Sequence, residues 1–146
     1  HVTAHQWYWT YDYPNQGNLS FDSNFAPDNE LKPGQPRLLS VDNRAVVPVN
    51  TTIRIVITST DVIHSFYVPS LGVQEYAMPG HANAAWIRID KPGIYRGQCN
   101  QLCGVNHAFM PIVVQAVSKA DFATWVRQAK KKFASSGSRS QLASAG

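Results

Sequence analysis

Thr51-Thr52-Ile53-Arg54-Ile55-Val56-Ile57-Thr58 is the stretch that decides the fold class of this chain. Isoleucines stand at 53, 55 and 57, so one face of the segment is continuously apolar only if the backbone is extended. A helix would scatter them around its axis. Working outward, β-branched or aromatic runs of the same kind occupy residues 2–11, 37–41, 64–68, 84–89, 93–98 and 111–117. Turn chemistry separates them at Pro14-Asn15-Gln16-Gly17, Lys32-Pro33-Gly34, Val49-Asn50, Pro79-Gly80 and Lys91-Pro92-Gly93. About seven short strands with no helix between them predict a sandwich or a Greek-key barrel.

The end of the chain reads differently. Ser118-Lys119-Ala120-Asp121 has the form of a capping box with Asp in place of Glu. Phe122, Trp125, Val126, Ala129 and Phe133 follow at helical spacing, and Lys130, Lys131 and Lys132 favour the negative end of a helix dipole. The expected organisation is a β domain over residues 1–117, a helix over 118–133 and a flexible polar tail over 134–146.

Composition narrows the function. The chain has 146 residues, one domain's worth, and only 15% are charged. That is below the roughly 25% usual for soluble domains, and it implies a surface partly covered by something else. The formal net charge of +4 invites a nucleic-acid reading. Its distribution excludes that partner: residues 1–122 hold nine acids and eight bases, while residues 123–146 hold five bases and no acid. Residues 1–75 carry seven acids against four bases, net −3. No stretch of 18 apolar residues is present to span a bilayer.

The chemistry concentrates in Gly97-Gln98-Cys99-Asn100-Gln101-Leu102-Cys103-Gly104-Val105-Asn106-His107-Ala108-Phe109-Met110-Pro111. Two thiols, an imidazole and a thioether lie within twelve residues, and His64 stands on a candidate strand upstream. Such soft donors suit copper, whereas magnesium and calcium want oxygen. Three readings of these residues compete. Cys99 and Cys103 form a disulfide or are inert core; Cys99, Cys103, His107 and His64 hold a tetrahedral zinc; or the set binds copper. A mononuclear blue-copper site uses one cysteine. A second thiolate allows two coppers to be bridged, each taking one histidine.

The segment GQCNQLCGVNHAFMP, with its C-x3-C-x3-H-x2-M spacing, closely resembles the dinuclear copper loop of subunit II of haem–copper cytochrome c oxidase. HQWYWTYDY, LSFDSNFAP, RLLSVDNRAVVPVN, STDVIHSFYVPSLGV and FMPIVVQAV match that subunit's outer domain in the same order, covering about residues 1–126. The resemblance implies an all-β, cupredoxin-like Greek-key β-sandwich with a C-terminal helix. It also implies electron transfer: single electrons are accepted from reduced cytochrome c and passed to a haem in subunit I, where oxygen is reduced.

Position by position, the resemblance makes Cys99 and Cys103 the bridging thiolates, His64 and His107 the imidazole ligands, and Met110 the axial thioether. Gln101 stands where the family has a glutamate that binds copper through its main-chain carbonyl, which a Glu→Gln change preserves. That glutamate's carboxylate also helps hold a magnesium ion at the boundary with subunit I, and a neutral amide is a weaker ligand for so hard an ion. Trp7 matches the tryptophan through which the electron arrives, and Asp12, Asp22, Asp42 and Asp61 match acidic positions facing the lysine ring of cytochrome c. Phe66 replaces a common tryptophan and keeps an apolar wall. Tyr76-Ala77-Met78-Pro79-Gly80-His81 departs from the family's acid- and arginine-bearing run at the face toward subunit I.

The related quinol-oxidase subunit lacks the cysteines, and the copper domain of nitrous oxide reductase has aromatic residues between them. A copper carrier or a disulfide-stabilised assembly module is the alternative of a different class. The implied partners are cytochrome c, subunit I and other oxidase subunits. The implied location is the intermembrane-space face of the mitochondrial inner membrane or the periplasmic face of a bacterial one. Membrane association would come through the complex or through an N-terminal part preceding the HVTAHQWYW opening, as in a divided subunit II.

Overall fold

In a computed structural model, the described residues are 1–25, 41–98 and 110–145. They form ten strands and one long helix: β1 Val2–His5, β2 Tyr8–Tyr13, β3 Leu19–Ser23, β4 Ala45–Pro48, β5 Thr52–Ser59, β6 His64–Val68, β7 Val73–Ala77, β8 Asn83–Arg88, β9 Gly93–Gln98, β10 Pro111–Val117 and α1 Lys119–Ala145. Two five-stranded sheets, ordered β3-β2-β1-β5-β8 and β4-β10-β9-β6-β7, face one another. The all-β sandwich with a C-terminal helix expected from the sequence is therefore the observed architecture. The expected strand over 37–41 falls almost wholly outside the described residues.

The period-two reading of 51–58 is confirmed as β5, and 93–98 and 111–117 become β9 and β10 without change of boundary. The expected single strand over 2–11 is corrected. It breaks at Gln6 and Trp7, and the two halves pair as a hairpin in which His5 opposes Tyr8, Ala4 opposes Trp9 and Val2 opposes Tyr11. The reason lies in the parity of the buried positions. Val2 and Ala4 point inward at even numbers, whereas Trp9 and Tyr11 point inward at odd ones. A strand cannot change parity without a turn or a bulge. Strands β3, β4 and β7 were not among the expected seven; each is four or five residues long.

The core lies between the sheets. Trp9, Ile57, Val68 and Ile112 are almost completely enclosed, each contributing roughly 1.5–3 kcal/mol or more of burial. Two pairings in the sandwich are parallel, β1 with β5 and β4 with β10. Where β9 crosses β6, Gly97 leaves no room for a side chain, because a Cβ there would fall on the carbonyl of Tyr67.

Helix α1 starts as the sequence predicts: the Asp121 backbone N–H donates to Ser118 Oγ at 3.1 Å, and the Phe122 N–H donates to the Ser118 carbonyl. It packs across β3 and β4, the edge strand of each sheet. Phe21 of β3 and Tyr13 of β2 meet Trp125 at ring distances of 6.0 and 5.2 Å, and Phe133 stacks on Phe21 at 4.8 Å. The helical backbone runs to Ala145, past the boundary expected at 133.

Strand direction gives the sandwich two poles. β1, β3, β5, β7 and β9 end, and β2, β6, β8 and β10 begin, at one of them. That pole collects the Gln6–Trp7 turn, residues 60–63, the turn ending at His81 and both ends of the segment joining β9 to β10. The opposite pole holds Pro14–Gln16, Asn50 and the start of α1.

Candidate metal centre

His64 is the first residue of β6, and Met110 immediately precedes β10. Both therefore sit at the same pole, and both are buried, at 0% and 2% exposure. Trp9 lies between them as a floor. Its ring is 6.2 Å from the His64 ring, and its indole N–H donates to the Met110 carbonyl at 3.4 Å. Phe66 packs edge-on against Trp9 at 5.4 Å and is itself buried, which confirms the apolar wall expected of it.

The two nitrogens of His64 have different surroundings. Nε2 is 2.9 Å from the Asp61 carboxylate, to which it donates, while Nδ1 is buried and has no hydrogen-bond partner among the described residues. With the proton held on Nε2, Nδ1 presents a lone pair. A buried polar atom left in that state costs on the order of 1–3 kcal/mol unless a ligand takes it. A carboxylate behind an imidazole is also the usual support of a metal-binding histidine. A soft metal thus fits what His64 and Met110 offer. Among the described residues no three His, Cys, Asp or Glu side chains gather in one place. The expected donors Cys99, Gln101, Cys103 and His107 lie outside the described residues. Gln98 and Pro111, which flank the segment, oppose each other across β9 and β10, so both ends of the segment are fixed at this pole.

Asp61 is more than a surface charge. Its carboxylate accepts from the Gln6 N–H at 2.7 Å, the Val62 N–H at 2.6 Å and Ser59 Oγ at 3.3 Å, in addition to His64. Partial burial pushes the carboxyl upward, but the hydrogen bonds from His64, Val62 and Gln6 outweigh it and hold the group below the usual carboxylate range. Sequence reading placed Asp61 among docking acids and missed this role, although Asp61-Val62-Ile63-His64 carries its acid three residues before the ligand.

Trp7 occupies the hairpin turn next to this group and is 38% exposed, while Trp9 and Tyr11 of the same aromatic run are core. Val62 and Ile63 are exposed beside it in sequence with Asp61, so the pole presents an apolar surface around a buried histidine. Asp22 and Asp42 lie at this end of the sandwich. Asp22 accepts from Thr10 Oγ1 at 2.8 Å, and Asp42 accepts from the Asn24 N–H at 2.8 Å. Asp12 is placed elsewhere, near the far end of β2, where its backbone bonds with His1.

A family model described as the periplasmic domain of cytochrome C oxidase subunit II matches residues 1–117. The probable cytochrome c oxidase subunit 2 of Rickettsia bellii is 54% identical over 142 residues, covering 97% of this chain and 52% of that protein. Cytochrome c oxidase subunit 2 of Arabidopsis thaliana is 54% identical over 128 residues, covering 84% of this chain and 49% of its own length. This chain thus spans about half the length of the curated relatives it matches. Among solved structures, the periplasmic domain of subunit II of cytochrome oxidase from Bradyrhizobium japonicum superposes with a TM-score of 0.83 at 51% identity, covering 90% of this chain and 92% of that one. A mixed disulfide intermediate between a thioredoxin-like protein and subunit II of cytochrome c oxidase gives 0.78 at 50% identity, covering 90% and 89%. The sandwich is therefore of the cupredoxin-like form that the sequence resemblance implied.

Proposed function

Since this chain belongs to the cytochrome c oxidase subunit II family, we propose that it is the electron-accepting domain of a haem–copper oxidase, taking single electrons from reduced cytochrome c. The oxygen-reducing site belongs to subunit I. The observation that carries the reading is the buried His64, whose Nδ1 has no partner among the described residues while Asp61 holds Nε2.

His64, Cys99, Cys103, His107, Met110 and the Gln101 main-chain carbonyl are the residues that would hold two copper ions. When bound, such a pair would supply a one-electron couple. The protein's own part is to keep the site rigid and dry. Trp9 and Phe66 exclude water beneath it, and Asp61 fixes the His64 tautomer. Trp7 offers the donor an exposed indole for close contact, set among Val62 and Ile63. Asp22, Asp42 and Asp61 supply negative charge at that pole, which raises the association rate with a lysine-rich partner and weakens with salt. Magnesium at the boundary with subunit I would have the neutral Gln101 in place of a carboxylate. The domain would work on the outer face of a respiratory membrane, mitochondrial or bacterial, anchored through the complex.

Copper reconstitution tests this reading. Two copper ions per chain, a purple colour and a mixed-valence paramagnetic signal spread over both ions are expected. A colourless copper-loaded protein, or a single-copper spectrum, would overturn it.

The relative captured in a mixed disulfide with a thioredoxin-like protein supports a second activity of the same cysteines. A thiolate of such a partner would attack a Cys99–Cys103 disulfide, and the partner's second thiol would release the chain with both cysteines reduced. The oxidised partner carries away the disulfide.

A further inference from the structure

Trp7 is presented by a turn of two residues, Gln6 and Trp7, between His5 at the end of β1 and Tyr8 at the start of β2. Short turns owe their geometry to the residues that bracket them. Here the bracket is unusually well tied. His5 and Tyr8 oppose each other across the hairpin, and their rings stack at 4.4 Å with an interplanar angle of 10°. Both ring nitrogens of His5 are engaged: Nε2 lies 2.9 Å from Thr10 Oγ1, and Nδ1 lies 2.9 Å from Thr60 Oγ1.

The direction of these bonds follows from the next partner along. The Thr10 hydroxyl gives its proton to Asp22 at 2.8 Å, so Thr10 can only accept from His5. His5 therefore donates from Nε2 and accepts at Nδ1 from the Thr60 hydroxyl. The chain of bonds joins β3, β2, β1 and the segment after β5, and it ends one residue from Asp61. Asp61 in turn holds the Gln6 N–H, so the turn is tied on its inner side through Asp61 and on its outer side through His5.

We propose that His5 is a positioning residue for electron uptake: fixed by Thr10 and Thr60 and stacked on Tyr8, it holds the turn in the geometry that presents the Trp7 indole. This inference rests on the reading of Trp7 as the point of electron uptake. Among the described residues, the side-chain partners of His5 are Thr10, Thr60 and Tyr8 rather than the ligands His64 and Met110, so it acts through the turn.

The test uses the assembled, copper-loaded oxidase and measures the second-order rate of electron uptake from reduced cytochrome c. Copper absorption and the thermal midpoint are followed alongside. His5→Ala is expected to slow uptake by about 10- to 100-fold, the range for a misplaced reacting group, with the copper spectrum unchanged. His5→Gln, which keeps a donor and an acceptor, is expected to recover part of the loss. In a Trp7→Phe background, His5→Ala is expected to add nothing further, because it acts through Trp7. An equal slowing by His5→Ala in both backgrounds, or normal uptake in His5→Ala, overturns the proposal while leaving Trp7 in its role. Normal uptake in Trp7→Phe alone removes Trp7 from the pathway and this inference with it. Should His5→Ala fail to fold, Thr60→Val removes only the Nδ1 partner and decides by the same comparison: slowing that disappears in the Trp7→Phe background supports the role, and any other result overturns it.

Discussion

The carboxylate of Asp61 stands 2.9 Å from Nε2 of the buried His64, and its second oxygen holds the Gln6 N–H at 2.7 Å. One side chain therefore orients a candidate metal ligand and anchors the turn of the exposed Trp7. Replacing it by alanine frees the imidazole to rotate or to change tautomer. Asp61→Ala is expected to lower copper affinity by about 10- to 100-fold, measured by competition titration of the folded apoprotein. Unchanged affinity would show that packing alone orients His64.

Gly97 has no space for a methyl group, since the obstacle is the Tyr67 main chain rather than a movable side chain. Gly97→Ala must push β9 away from β6, next to the segment that carries the cysteines. A loss of about 1–3 kcal/mol is expected from overpacking, read as a lowered denaturant midpoint. An unchanged midpoint would mean that the two strands separate there without cost.

Tyr11 is enclosed, and its hydroxyl has no hydrogen-bond partner among the described residues. Burial raises its pKa far above the ordinary tyrosine value; burial also raises that of Tyr13, opposed by the hydrogen bond to Val46. The fold thus favours the neutral phenols. Their contribution is complete below the unfolded value of about 10 and is lost as pH climbs from there toward the folded values. Stability is expected to fall above about pH 10, and Tyr11→Phe is expected to soften that fall. At neutral pH the same variant should be equal to the parent or more stable by about 1 kcal/mol. Chemical denaturation at both pH values checks the pair of expectations. A clear loss at neutral pH would reveal a partner for the phenol.

Phe21, with Tyr13, joins sandwich and helix, touching Tyr11, Tyr13, Trp125 and Phe133. Phe21→Ala should cost about 3–5 kcal/mol in chemical denaturation of the apoprotein. The optical spectrum of whatever copper-loaded protein remains folded should not change, because the rings packed on Phe21 are Tyr11, Tyr13, Trp125 and Phe133, none of them a candidate ligand. An altered spectrum would show that the helix contact and the metal centre are mechanically linked.

Much of this was legible in the residues because period two is a strong signal where one face is buried. β5, β6, β9 and β10 appeared directly as alternating or continuous apolar runs. The helix start followed from Ser118, whose hydroxyl accepts the Asp121 N–H. The hairpin at Gln6–Trp7 was hidden because aromatic and β-branched residues continue through it, and only the parity of Val2 and Ala4 against Trp9 and Tyr11 marks the break. β3, β4 and β7 escaped because four or five residues give too little alternation to stand out. At the site, residue types left disulfide, zinc and copper open, and the family resemblance singled out His64 and Met110 as ligands. The second task of Asp61 and the Thr60 tie on His5 required the fold, since those partners lie more than fifty residues away in sequence.

The placement of α1 has a consequence for how the molecule meets other chains. Four lateral strand edges exist in a pair of open sheets, and each offers unpaired N–H and C=O groups to any extended peptide that arrives. One amphipathic element, laid across β3 and β4, shields one such template on each sheet. Among the described residues, β7 and β8 remain as outer strands, and they adjoin each other along one flank. Of the described edges, those open to adventitious strand addition thereby lie on a single side. The other flanks are left for contacts made by side chains.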